Sequence, residues 1–265
     1  MSLIISASLT ASSVFAMSKP VTIQDQGSFM AGGKVITATG NLNTTKNPKD
    51  LSGNTLHGDH AYVFYQIPKK SRKYPVVFLH GASQSGQSWE TTPDGRDGFQ
   101  NIFLSKGFKT FIVDQPRRGR AGRATVAGNI SATPDDQLWY YNFRIGEYPK
   151  IYDGVKFPHD EESVNKFLHQ MTPSFEKSGA GILITHSAGG GPGWETAIRS
   201  DKVKAVIALE PGTFPFPENE LPEIEETTSP FPAKGQSVSM EDFMKLTKIP
   251  IVIYFGDNIP NGDKP

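Results

Sequence analysis

The chain has 265 residues, 27 basic against 27 acidic, with 37% hydrophobic content. That length supports one large core, and the zero formal charge argues against nucleic acid or an anionic membrane surface as a partner drawn by a strong field. With no cysteine, disulfides, thiolate nucleophiles and cysteine-ligated metal or iron–sulfur centres are excluded.

The N-terminal stretch MSLIISASLTASSVFAMSKP is apolar and small-residue rich, and Val14-Phe15-Ala16 suits signal-peptidase cleavage after Ala16. It is too short to span a membrane stably. It also lacks the positive start of a signal peptide, so residues 1–16 are read as the remnant of one, with a flexible arm as the alternative. The expected location is the periplasm or the medium, and residues 17–265 form the expected single domain.

GSFMAGGKVITATG carries Gly-Gly at its centre and reads as a hairpin. HAYVFYQIP alternates, whereas YPVVFLHG, FKTFIVDQ, GILITHS, VKAVIALEPG and IPIVIYFGD are continuously apolar, as strands covered on both faces must be. Helical segments lie between them. DGFQNIFLSKG places Phe99, Ile102, Phe103 and Phe108 near one face and closes on Gly107; DEESVNKFLHQMTPSFEKS opens with acids; PGWETAIRSD opens with a proline that a first turn tolerates. The alternation predicts an α/β fold, a mostly parallel, doubly wound sheet after an antiparallel N-terminal start.

Two segments break that alternation. Residues 115–157 are rich in Arg, Gly and aromatics, and residues 211–240 in Pro and Glu. Both follow strands at the carboxyl edge, where an open α/β sheet binds ligands, and are candidate lids or pocket walls.

Ser187 follows the strand GILIT and precedes Ala188 and three glycines. A sharp turn there lifts a serine hydroxyl clear of the sheet and points the next backbone N–H at the same place. The competing readings are a bystander serine in a Gly-rich loop and a phosphate cradle; the cradle lacks the lysine that a Walker loop places after its glycines. His80-Gly81, after an earlier buried strand, lets the chain turn so that the N–H groups of Ala82 and Ala188 form an oxyanion hole.

On these residues the chain resembles an α/β-hydrolase from about residue 60 to 257: HG, VDQPRRGRAGR, THSAG, LEPG and FGD follow successive strands in the order of that fold. More narrowly, WETTPDGRDGF, VDQPRRGR, HS and EPG resemble a group of secreted bacterial esterases typified by an Alcaligenes esterase. The resemblance implies a glutamate after the sixth strand as the triad acid, the place held by Glu210, with Asp257 near the position most α/β-hydrolases use. An ionised Glu210 at the end of so apolar a strand needs an imidazolium or an arginine as partner, and a structural salt bridge is the alternative role for either acid. Thr185 departs from the pattern by replacing the first glycine of G-x-S-x-G.

The base is the missing part. In this fold the histidine follows the acid in chain order, yet His57, His60, His80, His159, His169 and His186 all precede Glu210. The expectation is that the native protein continues past Pro265 with the last strand, a covering helix and the catalytic histidine, or that a C-terminal fragment carries them.

The function expected is therefore a serine esterase acting on a carboxylic ester through an acyl-enzyme; the alternative is a non-catalytic binding protein of the same fold. Trp89, Trp139, Tyr140, Tyr141 and Phe143 are candidate apolar pocket walls or, equally, core packing. Arg117, Arg118, Arg120 and Arg123 are read as surface or salt-bridge residues before an anion site. No cofactor and no metal is expected, since no H-E-x-x-H spacing occurs. The partners expected are a small-molecule ester, with no nucleic acid and no membrane, and a second copy in a homodimer.

Overall fold

The computed structural model describes residues 20–42, 49–82, 84–128, 136–142, 144–156, 159–161, 181–223 and 235–256. Strands β1 (Ile23–Thr37), β2 (Thr55–Pro68), β3 (Val76–Leu79), β4 (Thr110–Asp114), β7 (Gly181–His186), β8 (Val203–Leu209) and β11 (Ile251–Tyr254) form one sheet, in the order β1-β2-β4-β3-β7-β8-β11. The pairs β1/β2 and β2/β4 are antiparallel, and every pair from β4 to β11 is parallel. Two short pairs lie outside it: β5 (Gly146–Glu147) with β6 (Lys150–Ile151), and β9 (Pro215–Pro217) with β10 (Gln236–Val238). This is the α/β-hydrolase arrangement.

Of the continuously apolar strands, β3, β4, β7 and β8 are covered on both faces; β11, expected to be covered likewise, is exposed at Val252, Ile253 and Tyr254. Along β3, Val76 and Phe78 join Trp89, Ile112 and Ile184 on one face, while Val77 and Leu79 pack with Val113, Leu183 and Val206 on the other. A period of two with apolar residues at every position is what a sheet between two helical layers requires. Helix α1 (Phe99–Ser105) covers the first face, and α3 (Gly190–Arg199) and α4 (Met240–Leu246) the second, through Trp194, Ala197, Ile198 and Leu246. Ser239 caps α4 by accepting from Asp242 N–H at 3.1 Å. No helix among the described residues is long and apolar enough to cross a membrane.

Two expectations need correction. GSFMAGGKVITATG is not a hairpin but the body of the 15-residue strand β1, whose ladder with β2 keeps one register on either side of Gly32 and Gly33. Those glycines take φ of +64° and +95° beside Asp59, itself at +53°, so Gly-Gly serves as left-handed backbone within a strand. The ladder closes instead where Ala38 and Asn54 bond. In α1 the buried residues are Gln100 and Leu104, with Phe103 packed on the core, whereas Phe99 and Ile102 are 43% and 38% exposed. Gln100 turns inward because Gln66 Oε1 accepts from its amide at 3.0 Å. The helix read in DEESVNKFLHQMTPSFEKS lies almost wholly outside the described residues.

Thr185, in the place of the usual glycine, is accommodated from the helix side. A β-carbon on Gly193 would lie 2.5 Å from Thr185 Cγ2, and one on Gly189 2.6 Å from His80 O. Gly189→Ala therefore presses on backbone and is expected to cost about 1–3 kcal/mol, roughly 2–4 °C of Tm per kcal/mol. Gly193→Ala is expected to cost as much alone, and Thr185→Ser, which removes Cγ2, to recover part of that loss in the double variant. Thermal unfolding of the four proteins checks this; strict additivity of Gly193→Ala and Thr185→Ser contradicts it.

Candidate active site

Ser187 stands between β7 and α3 in a short 3-10 turn, with φ of +49°. A left-handed backbone costs a residue with a β-carbon about 1–2 kcal/mol, so the surrounding contacts must hold it. Two turns do so. A β-carbon on Gly81 would sit 3.0 Å from Ser187 Cβ and 3.0 Å from His186 Nδ1, so glycine is needed there for close approach. On the other side Gly212 N–H donates to Ser187 O at 2.9 Å. Gln84 fastens the first turn: its Oε1 accepts from Gly81 N–H at 2.8 Å and from His186 Nδ1 at 2.9 Å. Ala82 lies in this turn, half-buried, and Ala188 follows the serine, exposed.

Glu210 follows β8 directly and is also left-handed, with φ of +45°. Its N–H donates to Tyr254 O at 2.8 Å, tying it to the end of β11. The carboxylate accepts from Gly256 N–H on Oε1 and from Arg144 Nη2 on Oε2, the latter at 2.5 Å. Of the two partner types expected for this acid, the arginine is the one seen. Asp257 lies outside the described residues.

No protein-family model matches the chain. A solved structure described as that of a novel bacterial esterase is 26% identical and superposes with a TM-score of 0.69, over 93% of this chain and 79% of that one. A curated relative from a fungal species, "probable secreted lipase phiG", is 29% identical over 181 residues, which are 58% of this chain and 50% of that protein. The chain thus spans about half the length of that relative. The strand order, the left-handed serine after β7 and the likeness to the bacterial esterase agree. The chain belongs to the α/β-hydrolase superfamily.

In a hydrolase of this fold a histidine bonds both the serine and the acid. His80 is fully buried and its Nδ1 donates to Gly81 O at 2.9 Å; His186 Nδ1 donates to Gln84. Both rings thus tie into the turn after β3. Burial pushes each down to about 4, against smaller upward pulls from the Gly81 carbonyl and Asp114 on His80, and from Glu210 on His186. His57 and His60 lie on β2, three strand spacings or about 14 Å from β7 in the sheet. His159 is exposed beside Val155 O, and His169 lies outside the described residues.

The aromatic candidates divide. Trp89 is 3% exposed and stacks at an angle on Phe78 in the core, the packing alternative for it; the same holds for Tyr140, which has no exposed surface and meets Tyr148 edge-on. Tyr141 is 52% exposed; the side chain of Trp139, and Phe143, are outside the described residues. Two arginines of the basic loop are ion-paired: Arg117 Nε donates to Asp59 and Arg120 Nε to Asp114, each at 2.7 Å. Arg117, with Thr125, holds Asp59 far below the usual carboxylate range. Among the described residues no group of three or more His, Asp or Glu could hold a metal ion. Gln84 and Arg144 have no sequence motif of their own; the unmet charge of Glu210 is the one sequence signal pointing toward Arg144.

The buried histidine makes a pH prediction. His80 stays neutral in the folded protein down to about 4, while in the unfolded chain it takes up a proton near 6.5. Stability is therefore full above about 6.5 and falls as pH drops toward 4, by about 3 kcal/mol from this group. Tm measured from pH 7 to 4 is expected to fall less steeply in His80→Asn than in the parent; equal slopes contradict the assignment.

Proposed function

We propose that the chain is a serine esterase that hydrolyses a moderately apolar carboxylic ester. Ser187 is the nucleophile, Glu210 the orienting carboxylate, and the N–H groups of Ala82 and Ala188 the oxyanion hole. The observation that carries this is the left-handed Ser187, pressed against Gly81 on one side and bonded on the other to Gly212, two residues beyond Glu210. Strain of this kind concentrates where a side chain must be presented rather than buried. Ser187 Oγ attacks the ester carbon while the base takes its proton; the carbonyl oxygen gains charge in the oxyanion hole; the alcohol leaves with the returned proton, and water clears the acyl-enzyme. The EPG motif supports placing the chain with the secreted esterase group and Glu210 ahead of Asp257, and the likeness to the bacterial esterase supports ester hydrolysis. Export is the accompanying proposal, supported by the apolar residues 1–16.

The general base is assigned outside the five described histidines, because two are held at the oxyanion turn, two are on β2 and one is an exposed residue bonded to Val155 O. The base must be neutral to accept a proton, so kcat/KM rises with pH through its value. The expected limb lies near 6.5, the ordinary imidazole value. A limb near 4, abolished in His186→Ala, would hand the role to His186 instead.

Reaction with a fluorophosphonate probe, followed by intact mass, tests the nucleophile. The parent is expected to gain one adduct and Ser187→Ala none, with esterase kcat falling about 10⁴-fold or more in that variant. Glu210→Gln is expected to lower kcat by about 10²–10⁴-fold, and Asp257→Asn to leave it within about threefold. An unlabelled parent would favour the binding-protein reading.

A further inference from the structure

Arg144 reaches Glu210 from a helix end that is closed in an unusual way. Helix α2 (Asp136–Asn142) ends with Arg144 N–H donating to Tyr141 O at 2.8 Å and Ile145 N–H donating to Tyr140 O at 3.2 Å. These overlapping bonds terminate a helix through a left-handed residue, and that residue is usually glycine, which meets no steric cost there. Here it is arginine, with φ of +56°. The backbone gains nothing from arginine at this position, so the reason for it lies in the side chain. Its guanidinium bonds Glu210 Oε2 in a half-buried pair. Tyr140 and Ile145, 0% and 5% exposed, fix the helix end from which it projects.

We infer that Arg144 is a positioning residue for the proposed triad acid, clamping Glu210 Oε2 while Gly256 N–H holds Oε1. The inference rests on the esterase reading. A carboxylate has about four acceptor sites, so two clamps fix its rotation and leave room for an imidazole N–H. Glu210 projects from a left-handed residue at the end of β8, and these two bonds fix which way its carboxylate faces. Arg144 also joins the 136–156 segment, part of the candidate lid, to the reacting centre. Its charge is engaged by Glu210, which argues against a role in binding an anionic substrate.

The test uses the full-length protein and a 4-nitrophenyl ester. Arg144→Gly is expected to hold or raise Tm, since glycine suits the left-handed helix end. It is expected to lower kcat about 10–100-fold with KM within about twofold. Arg144→Lys, which keeps the charge but not the planar fork, is expected to recover part of kcat. In a Glu210→Gln background, Arg144→Gly is expected to add nothing, because its only route to the reaction is removed. A kcat within twofold of the parent overturns the inference. So does a rise in KM alone, or a loss that adds fully to Glu210→Gln. A parent without Ser187-dependent turnover overturns the esterase reading and this one together, whereas an active parent matched by Arg144→Gly overturns this one alone.

Discussion

The close approach of three turns around the left-handed Ser187 is the constraint on which the rest of this sheet edge depends. Ser187 takes that conformation only because Gly81 admits its Cβ from the β3 side and Gly212 bonds its carbonyl from the β8 side. Neither turn could come so close if the parallel strands β3, β7 and β8 were not neighbours in that order. The apolar burial that drives those strands together thus also assembles the turns, and the unfavourable backbone at Ser187 is stabilised by contacts made elsewhere. Trp194 extends the same arrangement: its indole N–H donates to Thr213 O at 2.8 Å and ties α3 to the turn after β8.

Electrostatics close the same edge. Asp114 ends β4 with 1% exposure; its carboxylate accepts from Gly86 N–H at 2.8 Å and from Arg120 N–H and Nε. The Arg120 guanidinium also lies 4.4 Å over the Tyr62 ring. Asp59 on β2 is joined by Arg117 and by the Thr125 hydroxyl. Glu210, after β8, is joined by Arg144. In each case a carboxylate next to a buried strand is met by an arginine from the long segment after β4, which pulls that segment back onto the sheet. Of the three carboxylates Asp114 is the most deeply buried, so the pair with Arg120 is the one whose loss would leave an unpaired charge away from water.

The sequence carried the sheet well: the continuously apolar runs became β3, β4, β7, β8 and β11, and for the first four burial on both faces leaves little freedom, whereas β11 forms its strand with three of its four residues exposed. It misled at Gly32-Gly33, since a glycine pair supports a turn and a left-handed strand residue equally, and only the partner strand decides between them. It misled again at Phe99 and Ile102, because the short helix α1 is oriented by Phe103, Leu104 and the Gln100–Gln66 bond rather than by its most apolar stripe. Ser187 and Glu210 were singled out through motifs that fix local backbone, and both are left-handed in the structure. Gln84 and Arg144 were not singled out, because their roles come from contacts across 102 and 66 residues that no local pattern encodes.

Glu210 therefore belongs to no single element. Its backbone leaves β8, its N–H bonds β11 through Tyr254 O, one carboxylate oxygen takes the Gly256 N–H, and the other takes a side chain from the 136–156 segment. Ser187, by contrast, is held at the sheet edge by backbone turns, one of them fastened by the Gln84 side chain. The proposed nucleophile, fixed by the sheet, and the proposed acid, fixed partly by the segment after β4, respond differently to change: substitutions in that segment can alter Glu210 while leaving Ser187 in place. Loops positioned by a shared sheet are where function is adjusted, so on the proposed reading the pairing of Glu210 with Arg144 is the point at which variation in the 136–156 segment reaches the reaction.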